Sequence, residues 1–498
     1  MLTRLKVSCF KNLADVDVRF GPFTCVTGPN GVGKSNLFDA IQFLSALTEL
    51  PLTEAALSVR NAGGRTADLR SLFRHTDGHY AEEMSFEAEM IIPGSGVDAL
   101  GQKTTASTTF LKYSVTLAYR PDANGISGNY RSFGALEIIK EELDHINIGE
   151  ATKHLLFPHK PAWRRTVIHG RRTTPFISTE MDGSTRVITI HQDGTGGGPL
   201  SWTATDLPRT VLSVANTAAT PTAVLARREM QSWRVLHLEP SALRRPDEFT
   251  ASPRLRCDGL HLPSMLYHIA GRNARTSDLP EDETLEKTYH HVVNRLSELI
   301  NDIQTIWVDH DQRQELLTLF AMTRDGTVHP ARELSDGTLR FLAFAVLEMD
   351  PDAHGLLCVE EPENGIHPER IPAMIRLLRD IAVDASRPAG PTNPPRQVII
   401  NTHAPTVLSQ ITDDSFLIAE PRDGDRQSQN QRLCFSSVRE TWRQKAHEPV
   451  TTISRDDLLS RLNLVIPGMS VLYVEDTAAL VGEEIKEKEE PDLQLKLF

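Results

Sequence analysis

The chain is poor in cysteine, in aromatic residues and in positive charge, and each shortage excludes something. Its five cysteines (Cys9, Cys25, Cys257, Cys358 and Cys434) are scattered among 498 residues with no C-x-x-C pair. That pattern suits reduced thiols and supports neither a disulfide scaffold nor a zinc site. Aromatics make up 6% of the chain, too few for an obvious platform on which single-stranded bases would stack. Lys and Arg number 53 against 66 Asp and Glu, a net charge of −13. Coating nucleic acid by charge alone is thereby excluded, although a local basic groove is not. No uninterrupted apolar run approaches the roughly 18 residues of a membrane span. The opening MLTRLKVSCF reads as a strand and lacks the basic-then-apolar layout of a signal peptide, so a cytoplasmic location is the expectation. There is no internal repeat and no sustained heptad pattern. What remains is a globular composition, 40% hydrophobic and 24% charged, on a length that predicts about two to four domains.

Period changes along the chain give its organisation. Leu2 to Cys9 and Val16 to Phe20 read as strands, and Phe23 to Thr27 is a short apolar run ending in a glycine-rich turn. From Ser35 onward Leu37, Ile41, Leu44 and Leu47 fall at helical spacing. Between about 85 and 235, short β-like runs (Leu111 to Ala118, Arg186 to His191) are separated by turn clusters such as PDANG and QDGTGGGP. Residues 258–304 have a helical pattern interrupted by a polar loop around Arg275 to Glu283. A strand pair, Thr305 to Val308 and Glu315 to Met322, leads into a helix-like run at 338–349, and Leu356 to Val359 and Val398 to Ile400 are buried-strand candidates. Pro388, Pro391, Pro394 and Pro395 place a surface loop before Arg396.

The strand, glycine turn and helix at 23–47 carry the strongest motif. Gly28-Pro29-Asn30-Gly31-Val32-Gly33-Lys34-Ser35 fits G-x-x-x-x-G-K-S/T, a phosphate-binding loop. Gly28, Gly31 and Gly33 let the backbone wrap a β-phosphate with N–H groups pointing inward, and the helix N-terminus adds positive potential. Lys34 is expected to reach the β- and γ-phosphates, Ser35 to hold Mg²⁺, and Asn30 and Asn36 to flank them. In the second half, Leu356-Leu357-Cys358-Val359-Glu360-Glu361 is an apolar strand ending in two carboxylates. Beside a phosphate loop, Glu360 would orient the Mg²⁺ shell and Glu361 would activate a water for in-line attack.

Two further segments fit an anion site. Leu334-Ser335-Asp336-Gly337-Thr338-Leu339-Arg340 precedes a helix; Ser335 and Gly337 offer a hydroxyl and free N–H groups, and Ser335 or Asp336 equally reads as a plain N-cap. Asn401-Thr402-His403 follows an apolar strand, where His403 can bond a γ-phosphate or serve structurally.

In this order the four elements resemble the ABC-type ATPases of the RecF/SMC class, in particular compact AAA-family ATPases that include the ATPase half of OLD nucleases. GPNGVGKS resembles Walker A, LSDGTLR the signature motif, LLCVEEPENGIHP Walker B with its D-loop, and NTHAPTVLS the switch-histidine segment. The likeness is good over roughly residues 1–90 and 320–420, and LEPSALRRPD and CDGLHLPSMLYHI look like the family's connecting segments. It implies an α/β fold: an ABC-type P-loop ATPase head with a mixed central sheet and helices, carrying a β-rich insert and a helical lobe. The expected division is an N-terminal ATPase lobe (1–90), the insert (91–235), the helical connecting lobe (236–304), the C-terminal ATPase lobe (305–420), an α/β extension (421–475) and a charged tail (476–498).

The resemblance further implies ATP and Mg²⁺ as ligands and a head-to-head dimer with two ATP molecules between subunits. Ser335 and Gly337 would then bind γ-phosphate in trans, with Glu361 as catalytic base and His403 as γ-phosphate sensor. Lys11, in the CFKNL segment, matches a position that contacts phosphates. Glu360 stands where many relatives have Asp, and no residue matches the family's Q-loop glutamine.

The long gap between Lys34 and Ser335 is filled by Gly- and Pro-containing sequence, which excludes a long coiled coil. Within it, residues 151–179 carry Lys153, Lys160, Arg164, Arg165, Arg171 and Arg172 with Trp163 and no acid. These are a candidate DNA or RNA contact, or the solvated edge of a β-meander. Val471-Leu472-Tyr473-Val474-Glu475-Asp476 resembles the opening of a Toprim nuclease domain, but too few residues follow it, so no intrinsic nuclease is expected. Gln494, Leu495, Leu497 and Phe498 look like a peptide that docks on the bacterial sliding clamp, or a C-terminal strand tucked onto the core. The leading expectation is a sensor ATPase with a separate nuclease or toxin effector in anti-phage defence. The alternatives are a RecF-like repair or replication ATPase and a nucleotide-held scaffold with little turnover.

Overall fold

The computed structural model describes residues 1–59, 68–98, 100–121, 134–194, 198–215, 219–276, 281–298, 300, 302–350, 354–421, 432–445, 452–455 and 457–458. The segments Val471 to Asp476 and Gln494 to Phe498, on which the Toprim-like and clamp-peptide expectations rest, lie outside those residues.

Alternating burial builds an eight-stranded antiparallel sheet. It comprises β1 (Leu2–Phe10), β2 (Leu13–Arg19), β4 (Glu83–Ile91), β5 (Phe110–Arg120), β6 (Ala135–His145), β7 (Ile177–Asp182), β8 (Thr185–Ile190) and β9 (Leu200–Thr203), in the order β9-β8-β7-β6-β5-β4-β1-β2. In β1, Leu5 and Val7 point into the core while Lys6 faces solvent, the two-residue period of a half-buried strand. The sheet runs straight across the boundary expected at residue 90, because β4 pairs with β1 on one side and β5 on the other. The β-rich stretch therefore extends the N-terminal sheet and is not a separate one. Glu141 of β6 is fully buried in it. Its carboxylate accepts the N–H groups of Val211 and Leu212 and the Tyr113 hydroxyl, and burial pushes it up to about 7.

A second sheet of seven strands carries β3 (Phe23–Thr27) near its centre. Its order is β10-β15-β16-β3-β17-β18-β19, with β10 (Arg234–Leu236), β15 (Gly355–Glu360), β16 (Arg396–Thr402), β17 (Phe416–Pro421), β18 (Leu433–Val438) and β19 (Thr452–Ile453). β10, β15, β16, β3 and β17 are mutually parallel. Every residue of β15 and β16 is buried, as expected of parallel strands covered on both faces. Between β10 and β15 a small sheet of β11 (Asp247–Glu248), β12 (Ile303–Asp311), β13 (Leu316–Thr323) and β14 (Val328–Pro330) packs with helices Leu262–Thr276 and Glu281–Ser297.

The basic stretch 151–179 is not a meander edge. It forms two short helices, Ala151–His154 and Pro161–Val167, before β7 begins. Trp163 is fully buried between Phe157 and His159, with Ile146, Val383 and Trp442 in the same cluster, so it offers no face to a base. Arg172 lies 4.1 Å over the Phe176 ring and donates to the Thr174 and Gln192 carbonyls. Lys160, Arg165 and Arg171 are exposed, and Arg164 is partly so.

Candidate nucleotide site

Strand register brings the motifs together. Thr402 pairs with Thr27, Asn401 with Val26, Glu360 with Asn401 and Leu236 with Val359, so the C-terminal ends of β3, β16, β15 and β10 line up. The residues that follow them meet at that edge, the usual ligand face of an open parallel sheet.

After β3 the chain turns through Gly28 (φ 151°), Gly31 (φ 78°) and Gly33 (φ 98°) into helix α1 (Lys34–Ala46). A Cβ on Gly28 would sit 2.1 Å from the Ala419 carbonyl oxygen, so only glycine fits between the loop and β17. Asn30 and Gly31 are exposed, and Ser35 and Asn36 half-buried. Lys34 is buried, and its ammonium donates to the Gly28 and Pro29 carbonyls at 2.8 and 2.9 Å. Burial lowers its pKa, and the Glu361 carboxylate opposes that effect, so the two expected catalytic segments lie within electrostatic reach of each other.

The hairpin between β1 and β2 braces this loop. Asn12 donates to the Val32 carbonyl at 2.7 Å and accepts from the Asn36 amide at 2.7 Å. Its neighbour Lys11, expected on phosphate, has its ammonium on Asp39 of α1 at 2.7 Å. Asn12 also lines a cavity of about 290 Å³ with Lys11, Phe73, Arg74, His75 and Tyr80. No motif marks Asn12 in the sequence, and its place directly after Lys11 is the one local signal for it. Asn12→Ala removes the brace without touching the loop glycines. It is expected to weaken nucleotide affinity by about tenfold, read by equilibrium titration with a fluorescent ATP analogue.

At the end of β15, Glu360 is buried and its carboxylate lies 3.3 Å from His237 Nδ1. His237 follows β10, and nothing in its local sequence marks it; parallel pairing of β10 with β15 puts it there. Glu361 has φ 43°, left-handed backbone in a residue that is not glycine, held by its N–H bond to the Asn401 carbonyl at 2.8 Å. Its carboxylate accepts from the Asn364 amide at 2.8 Å and lies 3.1 Å from His403 Nδ1. Glu360, Glu361 and His403 are thus brought to one edge, and Asn364 joins them unforeseen.

Ser335 caps α2 (Asp336–Met349): its hydroxyl accepts from the Thr338 N–H at 3.2 Å and shares a hydrogen bond with the Thr338 hydroxyl. Arg244 pins the turn through the Leu334 carbonyl at 3.0 Å and through Asp336. Gly337 is packed against the D-loop turn at Gly365. Ser335 itself is exposed, and both hydrogen bonds of its hydroxyl are to Thr338 of its own helix.

Mg²⁺ and the phosphates of a nucleotide fit the residues present. The buried Thr27 hydroxyl and the Asn401 side-chain oxygen have no partner, and they stand at the same strand ends as Glu360. Among the described residues no cluster of three or more His, Cys, Asp or Glu could cage a metal. Mg²⁺ is usually held by one or two protein oxygens together with phosphates and water, a role that Ser35 and Glu360 could fill.

A glycine loop with a buried lysine after β3, and paired carboxylates at the end of β15 two strands away on the same parallel sheet, make a candidate P-loop nucleotide site. Residues 23–91 and 259–409 match the family described as "AAA domain, putative AbiEii toxin, Type IV TA system". The chain is similar to the DNA replication and repair protein RecF of Porphyromonas gingivalis, 37% identical over 79 residues, 16% of this chain and 21% of that protein. It is also similar to the OLD nuclease of Thermus scotoductus, 46% identical over 44 residues, 9% of this chain and 8% of that protein. The matched stretches thus span a small part of both relatives. Over these stretches the chain is similar to ATPases of the RecF and OLD-like kind. Among solved structures, the Smc head bound to the C-winged helix domain of ScpA covers 88% of this chain and 98% of its own at 13% identity, with a TM-score of 0.43. No described helix is long and apolar enough to cross a membrane.

Proposed function

We propose that the chain is an ATP-hydrolysing switch that closes into a head-to-head homodimer around two ATP molecules. The observation that carries this reading is the division of the site. Lys34, Glu360, Glu361 and His403 share one edge of the parallel sheet, whereas the exposed Ser335 hydroxyl is bonded, among the described residues, only to Thr338 of its own helix. A second subunit's nucleotide is the natural ligand for that turn.

In this reading Gly28, Asn30, Gly31, Gly33, Lys34 and Asn36 hold the phosphates, and Ser35 and Glu360 hold Mg²⁺. Bound there, Mg²⁺ supplies charge neutralisation to the β- and γ-phosphate oxygens. Glu361 takes a proton from water as the water oxygen bonds the γ-phosphorus and the bridging oxygen leaves with ADP. Asn364 and His403 hold the Glu361 carboxylate in place, and His403 senses the γ-phosphate. Binding closes the dimer and hydrolysis reopens it.

The role we favour is that of a sensor subunit paired with a separate nuclease or toxin in anti-phage defence. Similarity to the OLD nuclease and a family described through a toxin–antitoxin system support it. The RecF likeness favours a second reading, an ATPase of DNA repair or replication, with Lys160, Arg164, Arg165 and Arg171 as the polyanion contact. Salt-dependent DNA binding that needs ATP would select repair, and co-purification of a neighbouring effector would select defence.

Complementation tests the composite site. Lys34→Ala and Ser335→Arg variants are each expected to be inactive alone, and mixing them restores one intact site per heterodimer. Recovery of measurable turnover is expected, with about a quarter of the wild-type value as the ceiling set by statistical pairing, half the dimers being heterodimers with one intact site in each. No recovery in a mixture shown to form heterodimers would overturn the trans arrangement.

A further inference from the structure

Two oppositely charged groups beside the Glu361 turn have buried polar atoms with nothing to hold. Arg340 lies just beyond the signature turn on α2 and is only partly exposed. Its Nε is buried without a hydrogen-bond partner, and among the described residues Asp336, Glu361 and Glu363 act on its guanidinium through space without an ion pair. Glu363 is 9% exposed; one of its oxygens accepts the Thr402 hydroxyl at 2.5 Å, and the other is buried with no donor. Buried polar atoms are nearly always paired, so two orphans of opposite charge need a reason.

The segments that bear them are in direct contact. A Cβ placed on Gly337 would come within 2.3 Å of the Gly365 carbonyl oxygen, so the start of α2 rests on the turn that contains Glu361, Glu363 and Asn364. Burial lowers the Arg340 pKa, with Asp336, Glu363 and Glu361 acting in the opposite direction, so the guanidinium feels all three carboxylates from beyond bonding distance. Burial likewise raises the Glu363 carboxyl. Glu363 is tied through Thr402 to the residue next to His403.

We propose that Arg340 and Glu363 are the two halves of an ion pair that is open here and closes when the signature turn takes up a second subunit's nucleotide. This rests on the head-to-head reading above, because a ligand on Ser335 and Gly337 is what gives α2 cause to shift. Both are positioning residues. The closed pair draws α2 onto the 361–365 turn and, through Thr402, onto the His403 segment. Occupancy of the signature turn in one active site thereby sets the geometry of Glu361 in the other, and the two sites of the dimer act together.

The test is a double-mutant cycle on the full chain with Arg340→Gln, Glu363→Gln and both together, with Arg340→Lys as the conservative variant. Each Gln variant is expected to lower kcat about tenfold with KM for ATP changed less than about twofold, the double variant being no worse than either single. Arg340→Lys keeps most of the turnover. Melting temperatures and the ATP-driven mass change, the latter measured in a Glu361→Gln background, are expected to match the parent. Losses that multiply in the double variant would overturn the pair, as would losses that follow a lowered melting temperature. Absence of the mass change in the Glu361→Gln parent itself would instead overturn the head-to-head reading, and the pair with it.

Discussion

Glu361→Gln is expected to lower steady-state ATP turnover by about a hundredfold or more while ATP still binds. The size follows from the task, since a positioned general base contributes roughly 10²- to 10⁴-fold and an amide cannot accept the proton. Gln keeps the length of the side chain and an oxygen for the Asn364 amide, which donates to the carboxylate at 2.8 Å. The left-handed backbone at φ 43° is fixed by the Glu361 N–H bond to Asn401 and does not depend on the carboxylate. In the proposed site, binding would rest on Lys34 and the loop glycines, which the substitution leaves alone. Turnover by radiolabelled phosphate release and affinity by titration separate the two effects. Wild-type turnover in the variant would show that another group is the base.

Gly337→Ala is expected to abolish most turnover by a different route. The new methyl would meet the Gly365 carbonyl oxygen at 2.3 Å and its carbon at 3.1 Å, and both are backbone atoms that no rotamer change can move aside. Overpacking of this kind costs about 1–3 kcal/mol and is relieved only by backbone displacement. Either α2 retreats with Ser335, or the 361–365 turn retreats with Glu361 and Asn364. In both cases kcat is expected to fall at least about tenfold while the phosphate loop still binds ATP. Steady-state kinetics and a nucleotide titration on the purified variant check this, and an unchanged kcat would contradict the packing argument.

Much of the geometry of the candidate site was legible in the sequence because local physics fixes it. A phosphate loop needs its glycines and lysine at fixed offsets, and Glu360 and Glu361 follow an apolar strand that can only be buried. Ser335 as an N-cap follows from the pattern of its helix. Residues whose place depends on strand order were not legible. His237 reaches Glu360 because β10 lies parallel to β15, a neighbour far away in the chain. Asn12 reaches Val32 across the β1–β2 hairpin, and Glu363 reaches Thr402 only through the pairing of β15 with β16. The burial of Trp163 was hidden for a related reason. Trp163 stands among Lys and Arg in the sequence, but Val383 and Trp442, distant in the chain, bury it together with nearby Phe157. Lys11 was read from its position in a motif, and the structure gives its ammonium to Asp39.

The central claim is that ATP joins two copies of this chain, and the most direct measurement is the mass of the Glu361→Gln protein by light scattering with and without Mg-ATP. A doubling of the mass that requires ATP, and that disappears on adding Ser335→Arg, is the result expected. A mass that ATP never changes, in a protein shown to bind ATP, would contradict the account.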